Sequence, residues 1–444
     1  MIEASVYVTY VVSVLLVVVP LADILARKRF QKYFVYFVTC ASFLLLNLVG
    51  SISPNILDNY PSMEFHLILL ANSAFLFLLY FFLPLLAGTS KKGAIGANLI
   101  RSEQLAGRLY HHYVFALGAL CVCVVIIFSI VVSPPLLFRF DLFGNWPALI
   151  EQRTAIVFGP HKFHWFALAF FDIPLFLVIL TSVMRLAYRM EGGKGRLNGW
   201  RADFRIIITL ALLLSVSFLH KTFLIYIIAS LALASFILQN RLPAKSILKY
   251  SVVAIVLLFV LYFAYTGFTF ESSLFTYIGE TIFHRAFEVY PWGAAIAVDL
   301  FPDKMPFLYG RSMINVFGAF NYEQVNLSEL IYPYIYGELG GIGSAPLPAV
   351  FESYANFGWL GVLLSFVVIA LLAITITRLS WSRRPIPFAL SVFISIKMIT
   401  IWVAPFWFGI LEPTTVLLVA FLFLSYLVMR YLQRQKNHVH SHVH

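Results

Sequence analysis

Long apolar runs separated by short polar segments make up most of this chain. Eleven of the runs have about the 20 residues that a helix needs to cross a hydrocarbon core. They lie near 5–25, 33–52, 64–87, 112–133, 165–186, 205–219, 221–238, 250–268, 348–376, 387–405 and 412–430. The pattern predicts an all-α polytopic membrane protein with about 11 transmembrane helices.

One long interval, 269–347, cannot be threaded into a bilayer, because it is rich in Tyr, Phe, Pro, Gly and scattered charge. It divides the chain into helices 1–8 with short loops (1–268), one large loop (269–347), helices 9–11 (348–430) and a short tail (431–444). A structured, polar and aromatic loop of this size is where chemistry on an outside substrate is expected.

Composition supports the membrane class and excludes nucleic acid as a partner. The chain is 61% hydrophobic and 11% charged, and its mean hydropathy is +0.89, which a soluble domain could not bury. Although the net charge is +11, the bases form short clusters between apolar runs. Six such clusters hold 23 of the 31 Lys and Arg residues and alternate with base-poor segments. The positive-inside rule then predicts a periplasmic N-terminus, a cytoplasmic C-terminus and an outward-facing large loop.

Metals and cofactors are not expected. The three cysteines lie inside apolar runs and are typical of buried thiols. No Asp-x-Asp motif is present in the loop, and the alternating His residues at the C-terminus are read as a disordered tail in preference to a metal site.

Several cations on the expected outer side are not explained by topology. His220 and Lys221 form the only polar break between two adjacent spans, so they are expected in a tight outer turn. Lys221 either anchors a helix end or contacts a phosphate. Arg153 lies in an earlier outward segment and either packs in an interfacial loop or lines a sugar or phosphate site. Arg311 lies in the large loop.

The large loop begins with a predicted amphipathic helix over 274–300, which carries His284 and Arg285. Their spacing from Glu280 and Glu288 places all four on one face, either as a solvated face or as a functional cluster. An Arg just outside a membrane suits bidentate contact with a diphosphate. The following stretch, 303–344, is predicted to be loop.

A helix start follows at the end of the large loop. Pro346 and Pro348 predict a helix that enters the membrane, with Glu352, Tyr354 and Asn356 in its first turns. Glu352 is either a general base at the outer surface or an acid that stabilises the helix dipole.

The stretch GSAPLPAVFESYANFGWLG resembles the signature of Wzy-type polymerases, which join oligosaccharide repeat units into O-antigen or exopolysaccharide. The resemblance extends loosely over the whole chain. It implies a metal-independent glycosyltransferase with a GT-C-like fold in the bacterial inner membrane. It also implies undecaprenyl-diphosphate-linked donor and acceptor substrates, with a chain-length regulator and a flippase as possible partners.

With such a reaction in view, we assign roles to the residues already singled out and to Glu338, which lies late in the large loop. Glu352 would be the base, with His284 or Glu338 as the alternatives. The diphosphate would be held by Arg285 with Lys221, supported by His220, Arg311 or Arg153. Tyr354 and Asn356 would orient the acceptor.

Three other functions stay open. O-antigen ligases share the architecture, but they usually carry an Arg at the tight turn and a His late in the large loop, where this chain has Lys221 and the acids Glu338 and Glu352. A transporter or flippase of lipid-linked sugars should show internal repeats and broken helices at matched positions, and the sequence shows no sign of either. A non-catalytic scaffold of an export complex would not need charges gathered at one outer surface.

Overall fold

A computed structural model of the chain describes residues 2–27, 29–60, 62–88, 109–131, 171–190, 194–217, 221–239, 288–313, 323–337, 345–382, 384–406 and 413–441, with isolated positions in 145–152 and 245–256. All the regular elements among these residues are helical. The α-helices are α1 Ile2–Ala26, α2 Phe30–Phe43, α3 Pro54–Asn59, α4 Met63–Ala87, α5 Leu109–Val131, α6 Ile173–Met190, α7 Lys194–Ser217, α8 Lys221–Gln239, α9 Tyr290–Leu300, α10 Leu327–Tyr336, α11 Ala349–Ser380, α12 Pro385–Lys397 and α13 Pro413–Ser441.

Seven helical segments within the described part of the chain are long and apolar enough to cross a membrane. They are Ala4–Ala26, Lys32–Ile52, Met63–Ala87, Tyr110–Ile130, Ile173–Met190, Ala349–Ser380 and Pro385–Trp402. Each overlaps a run found in the sequence, so the all-α polytopic membrane class is confirmed. The count of eleven spans and the GT-C-like fold stay predictions, and the run at 250–268 lies largely outside the described residues.

The chain forms two compact units, each built from separate stretches of sequence. The first contains residues 1–89, 270–377 and 395–412, and the second contains the rest. The first unit therefore holds α1–α4, α9, α10 and most of α11, and carries the described part of the large loop.

Helices α1 and α4 of the first unit pack against each other. Helix α4 begins at Ser62, whose Oγ accepts a hydrogen bond from the backbone N–H of Phe65 at 3.3 Å and so caps the helix. At the other end of the pair, the hydroxyl of Tyr80 donates to Asp23 of α1. Asp23 also pairs with Arg27 at 2.6 Å.

Helices α2 and α12 each change geometry at their C-terminal end. Helix α2 continues as a π-helical turn at Leu44–Leu48, and α12 continues as a 3₁₀ turn at Met398–Trp402. The two turns meet where Asn47 Nδ2 donates to the backbone carbonyl of Trp402 at 3.1 Å. Both Asn47 and Trp402 are buried, so this bond fixes the position of the chain that follows α12.

The prediction that 303–344 is entirely loop is wrong, because α10 is a 10-residue helix within it. Asn326 caps its start by accepting from the N–H of Glu329, and Gly337, with φ 76°, ends it. The Gly and Tyr content of the stretch concealed these stop and start signals. The helix predicted over 274–300 is confirmed for Tyr290–Leu300, while 274–287 lies outside the described residues.

Cysteine labelling is expected to place Asp303 outside and Lys194 inside the cell, because the base-rich segments flanking the large loop favour the cytoplasm. Asp303 is exposed in the turn after α9, and Lys194 begins α7. An impermeant maleimide applied to whole cells should label Asp303→Cys and not Lys194→Cys. The background comes from the native thiols, of which Cys123 is exposed, so the parent for both variants should carry Cys123→Ala. Labelling of position 194 but not of position 303 would contradict this topology and indicate the opposite orientation.

Candidate functional site

The site is organised by the first half of α11, which begins at Ala349. Pro348 precedes the helix, and its carbonyl accepts from the N–H groups of Phe351 and Glu352 at 2.9 and 3.1 Å. Because residues four apart lie on one face of a helix, Glu352 and Asn356 project in the same direction. Both side chains are buried, with exposed fractions of 2% and 0%.

A break in α11 at Gly358 gives this half-helix its own C-terminal end. Gly358 has φ 60° and ψ −144°, a conformation that favours glycine. In an unbroken helix, the carbonyls of Ala355 and Asn356 would accept from N–H groups one turn further on. Here they accept from the N–H groups of Leu308 and Tyr309, each at 3.0 Å. At the break, backbone hydrogen bonds therefore attach the loop segment 308–309 to the helix.

Glu352 is hydrogen-bonded at both carboxylate oxygens. Its Oε1 accepts from the Ser312 hydroxyl at 2.9 Å, and its Oε2 accepts from the backbone N–H of Phe406 at 3.1 Å. Phe406 lies in the chain beyond α12, so one carboxylate connects the large loop, α11 and the segment after α12. A buried carboxylate with satisfied oxygens is a strong structural contact, since removing either donor leaves an unpaired polar group.

Asn356 completes the network from the same helix face. Its Oδ1 accepts from the N–H of Gly310 at 2.9 Å and, at 3.5 Å, from the N–H of Ser312. Its Nδ2 donates to the Ser312 hydroxyl at 2.6 Å and to the carbonyl of Glu352 at 2.9 Å. The hydroxyl thus accepts a hydrogen bond from the amide and donates one to the carboxylate, so the three side chains form a continuous hydrogen-bonded chain. We call Ser312, Glu352 and Asn356 the buried triad.

Tyr354 lies on a different face of α11, because residues two apart on a helix do not face each other. Its ring meets Phe307 edge to face, with centroids 5.9 Å apart, and its hydroxyl is hydrogen-bonded to Glu64. Glu64 also accepts from Trp359 Nε1 at 3.1 Å. The structure therefore brings Glu352 and Asn356 together and directs Tyr354 towards the start of α4.

Arg311 is held beside the buried triad by its backbone, and its side chain is exposed. Its N–H donates to the carbonyl of Leu308 at 3.0 Å, and its own carbonyl accepts from Val325 at 2.8 Å. The other described base of the loop, Lys304, pairs with Asp299 at 2.5 Å, and this hydrogen bond raises the pKa of Lys304. In the described part of the loop, Arg311 is thus the cation without an ion-pair partner.

The remaining site residues predicted from sequence cannot be placed. Lys221 begins α8, but its side chain is not described. The others lie outside the described residues, namely Arg153, His220, His284, Arg285 and Glu338. Among the residues that are described, no group of three His, Cys, Asp or Glu side chains could hold a metal ion.

Sequence reasoning missed Ser312 and the Phe406 N–H, which are the two direct partners of Glu352. Ser312 precedes Glu352 by 40 positions, and Phe406 follows it by 54. A lone Ser and a backbone amide carry no spacing pattern, so neither could have been selected. Gly358 was present in the recognised stretch and is the one available signal for the break in α11.

No family model matches this sequence, and comparisons with curated proteins and with solved structures find no match. The fold and the described site define the class of all-α polytopic membrane proteins, with a buried polar network where the large loop meets a broken helix.

Proposed function

We propose that this protein is a lipid-linked oligosaccharide polymerase of the bacterial inner membrane. It would extend O-antigen or exopolysaccharide chains at the outer face of that membrane. The observation that carries the proposal is the buried triad. The stretch that resembles the polymerase signature supplies two of its three residues and uses them to hold the large loop.

The reaction would transfer a growing chain from undecaprenyl diphosphate to a single lipid-linked repeat unit. A hydroxyl of the acceptor sugar attacks the anomeric carbon of the first sugar of the donor and forms the new C–O bond. The bond from that carbon to the diphosphate oxygen breaks, and undecaprenyl diphosphate leaves with the electron pair. The proton of the attacking hydroxyl passes to a base.

Glu352 is our proposed base, with His284 and Glu338 as the alternatives. Glu352 is buried and its Oε1 lies against the Ser312 hydroxyl, so an acceptor hydroxyl can reach the carboxylate only if this contact opens. Movement of the loop segment that contains Ser312 would expose the carboxylate. The same segment contains Arg311, which would move with it. Substrate binding and exposure of the base would then be coupled.

The diphosphate would be held by cations near the outer surface, because guanidinium and ammonium groups form charge-assisted bonds with phosphate oxygens. Arg285 and Lys221 are proposed as the principal contacts, with His220, Arg153 and Arg311 as further ones. Arg311 has a specific argument in its favour, since its guanidinium is exposed and free of the pairing that occupies Lys304. Tyr354 and Asn356 would orient the acceptor, Asn356 through the loop amides that it binds.

A transporter of lipid-linked sugars is the second candidate, and the break in α11 favours it. Substrate sites of many transporters are built from discontinuous transmembrane helices. Such a protein would move the lipid-linked unit across the bilayer and form no glycosidic bond. An O-antigen ligase would form one bond to a different acceptor and would not make a ladder.

Purified protein supplied with lipid-linked repeat units, extracted from the bacterium that carries the chain, is expected to produce a ladder of products. Each added unit should release one undecaprenyl diphosphate, because bond formation and leaving-group departure are the same step. Gel analysis of the glycan and lipid phosphate analysis measure the two quantities. Heat-inactivated protein is the control. Translocation of the substrate in sealed vesicles without any ladder would contradict the proposal and support the transporter.

A further inference from the structure

The second unit contains a groove that has no part in the proposed reaction. It has a volume of about 370 Å³ and lies between α6, α7 and α8, with one side formed by residues from 245–256. This volume is within the range of small-molecule sites. We call it the basic groove, because Arg185, Arg205 and Lys249 line it.

Charge and apolar surface are separated along the basic groove. On α7, Arg205 is followed by Ile208 and Leu212, which also line the groove. Leu212 lies seven positions after Arg205, which is about 10 Å along a helix axis. On the neighbouring α8, the lining residue Leu224 lies close to the start of the helix. The sequence predicts α7 and α8 as successive spans, which would run in opposite directions, so Leu224 is expected near the level of Leu212. The groove therefore has cations at one end and an apolar wall beyond them.

The three cations come from three separate segments and converge on this groove. Arg185 stacks on the ring of Phe204, with its guanidinium carbon 4.0 Å from the ring centroid, which orients the group and leaves its N–H donors available. Arg205 and Lys249 are exposed. Within the described part of the chain, none of the three has a carboxylate within ion-pair distance.

We propose that the basic groove binds one anionic phospholipid. The phosphate would contact Arg185, Arg205 and Lys249, and one acyl chain would lie along the apolar wall formed by Ile208, Leu212 and Leu224. A basic pocket between transmembrane helices at the cytoplasmic side is suited to such a headgroup. The count of basic residues assigns this end of α6 and α7 to the cytoplasm, so the lipid would come from the inner leaflet. An apolar wall has no role in binding a soluble anion, and three cations have none in binding a neutral lipid.

Native mass spectrometry of the delipidated full chain tests this proposal. Phosphatidylglycerol should bind at one site, while phosphatidylcholine with the same acyl chains should bind at least tenfold more weakly. The double variant Arg185→Gln, Arg205→Gln should lose affinity for phosphatidylglycerol by about 30-fold, because each cation near an anionic lipid contributes about a fivefold factor. Arg205→Lys keeps the charge and should retain binding.

The matched control is Arg201→Gln on the same helix. Arg201 is exposed, contacts Asn198 at 3.5 Å and does not line the groove. Three results would overturn the proposal: equal binding of phosphatidylcholine, an equal loss in Arg201→Gln, or displacement of the lipid by millimolar inorganic phosphate. The first would indicate a purely apolar groove, the second a general charge effect, and the third a free-anion site. Circular dichroism of each variant confirms that helical content is unchanged.

Discussion

Glu352→Gln is expected to lower the rate of polymerisation by about 10²–10⁴-fold, the usual loss when a general base is removed. Glutamine matches the shape of the side chain but cannot accept a full proton. Binding of the lipid-linked substrate should be retained, because the cations proposed to hold the diphosphate are unchanged. Single-turnover assays on purified protein, together with a substrate-binding measurement, separate the two effects.

The buried triad makes a control necessary, since glutamine also alters its hydrogen bonds. One end of the amide becomes a donor. Facing the Phe406 N–H it would place two donors together, and facing Ser312 it would leave the hydrogen of that hydroxyl without its carboxylate acceptor. Such a mismatch costs about 1–3 kcal/mol of stability. Ser312→Ala removes the donor to Oε1 and leaves the carboxylate in place, so it provides a similar structural loss without loss of the base.

The two variants distinguish a base from a structural acid. If Glu352 is the base, Ser312→Ala should keep most of its rate per folded molecule while Glu352→Gln loses it. Equal rates in the two variants, after correction for the folded fraction, would assign Glu352 a structural role. A near-parent rate in Glu352→Gln would direct attention to His284 and Glu338.

Gly293→Ala is expected to destabilise the protein by about 1–3 kcal/mol, the cost of overpacking a well-packed interior. A Cβ at Gly293 of α9 would lie 2.1 Å from the carbonyl oxygen of Pro346, which is backbone and cannot rotate away. The chain around Pro346 would have to shift, and it leads directly into α11. A lower thermal midpoint in detergent, followed by tryptophan fluorescence, measures the effect.

Gly118→Ala is the control, because Gly118 is also a glycine inside a helix, α5, and lacks a close backbone neighbour. The nearest atom to its Cβ would be Ile207 Cδ1 at 3.5 Å, which is ordinary van der Waals contact. Alanine is favoured over glycine in a helix by about 1 kcal/mol, so Gly118→Ala should be neutral or stabilising. A rise in the thermal midpoint of Gly293→Ala would mean that α9 and the Pro346 segment do not approach as closely as described.

Hydrophobic run length was sufficient to predict the membrane class and the seven apolar helices, because bilayer thickness sets the length of a span directly. Helix α10 was missed because its signals, the Asn326 cap and the Gly337 stop, are short and lie among many other Gly and Tyr residues. The regular α11 predicted from its two prolines is broken at Gly358, since one glycine in a helical pattern does not reveal its φ.

In the candidate site, the residues of α11 could be predicted from the sequence, and their partners from other segments could not. Glu352 and Asn356 were selected because Pro346 and Pro348 predict a helix start just before them, and their common direction follows from helix geometry. Ser312 and Phe406 join them only through folding, from distant parts of the chain. The placement of Tyr354 with Asn356 as acceptor contacts stays a prediction, although the two side chains occupy different faces of α11.

The backbone hydrogen bonds at the break in α11 allow the attachment of the loop to be kept while the loop sequence changes. Leu308 and Tyr309 are held by their N–H groups, so the identity of their side chains is not part of the attachment. Any residue except proline supplies the same donor, and the positive φ of 48° at Tyr309 disfavours β-branched residues there. Within this limit the connection between loop and helix can survive changes of side chain, and relatives that retain it need share little sequence in the loop.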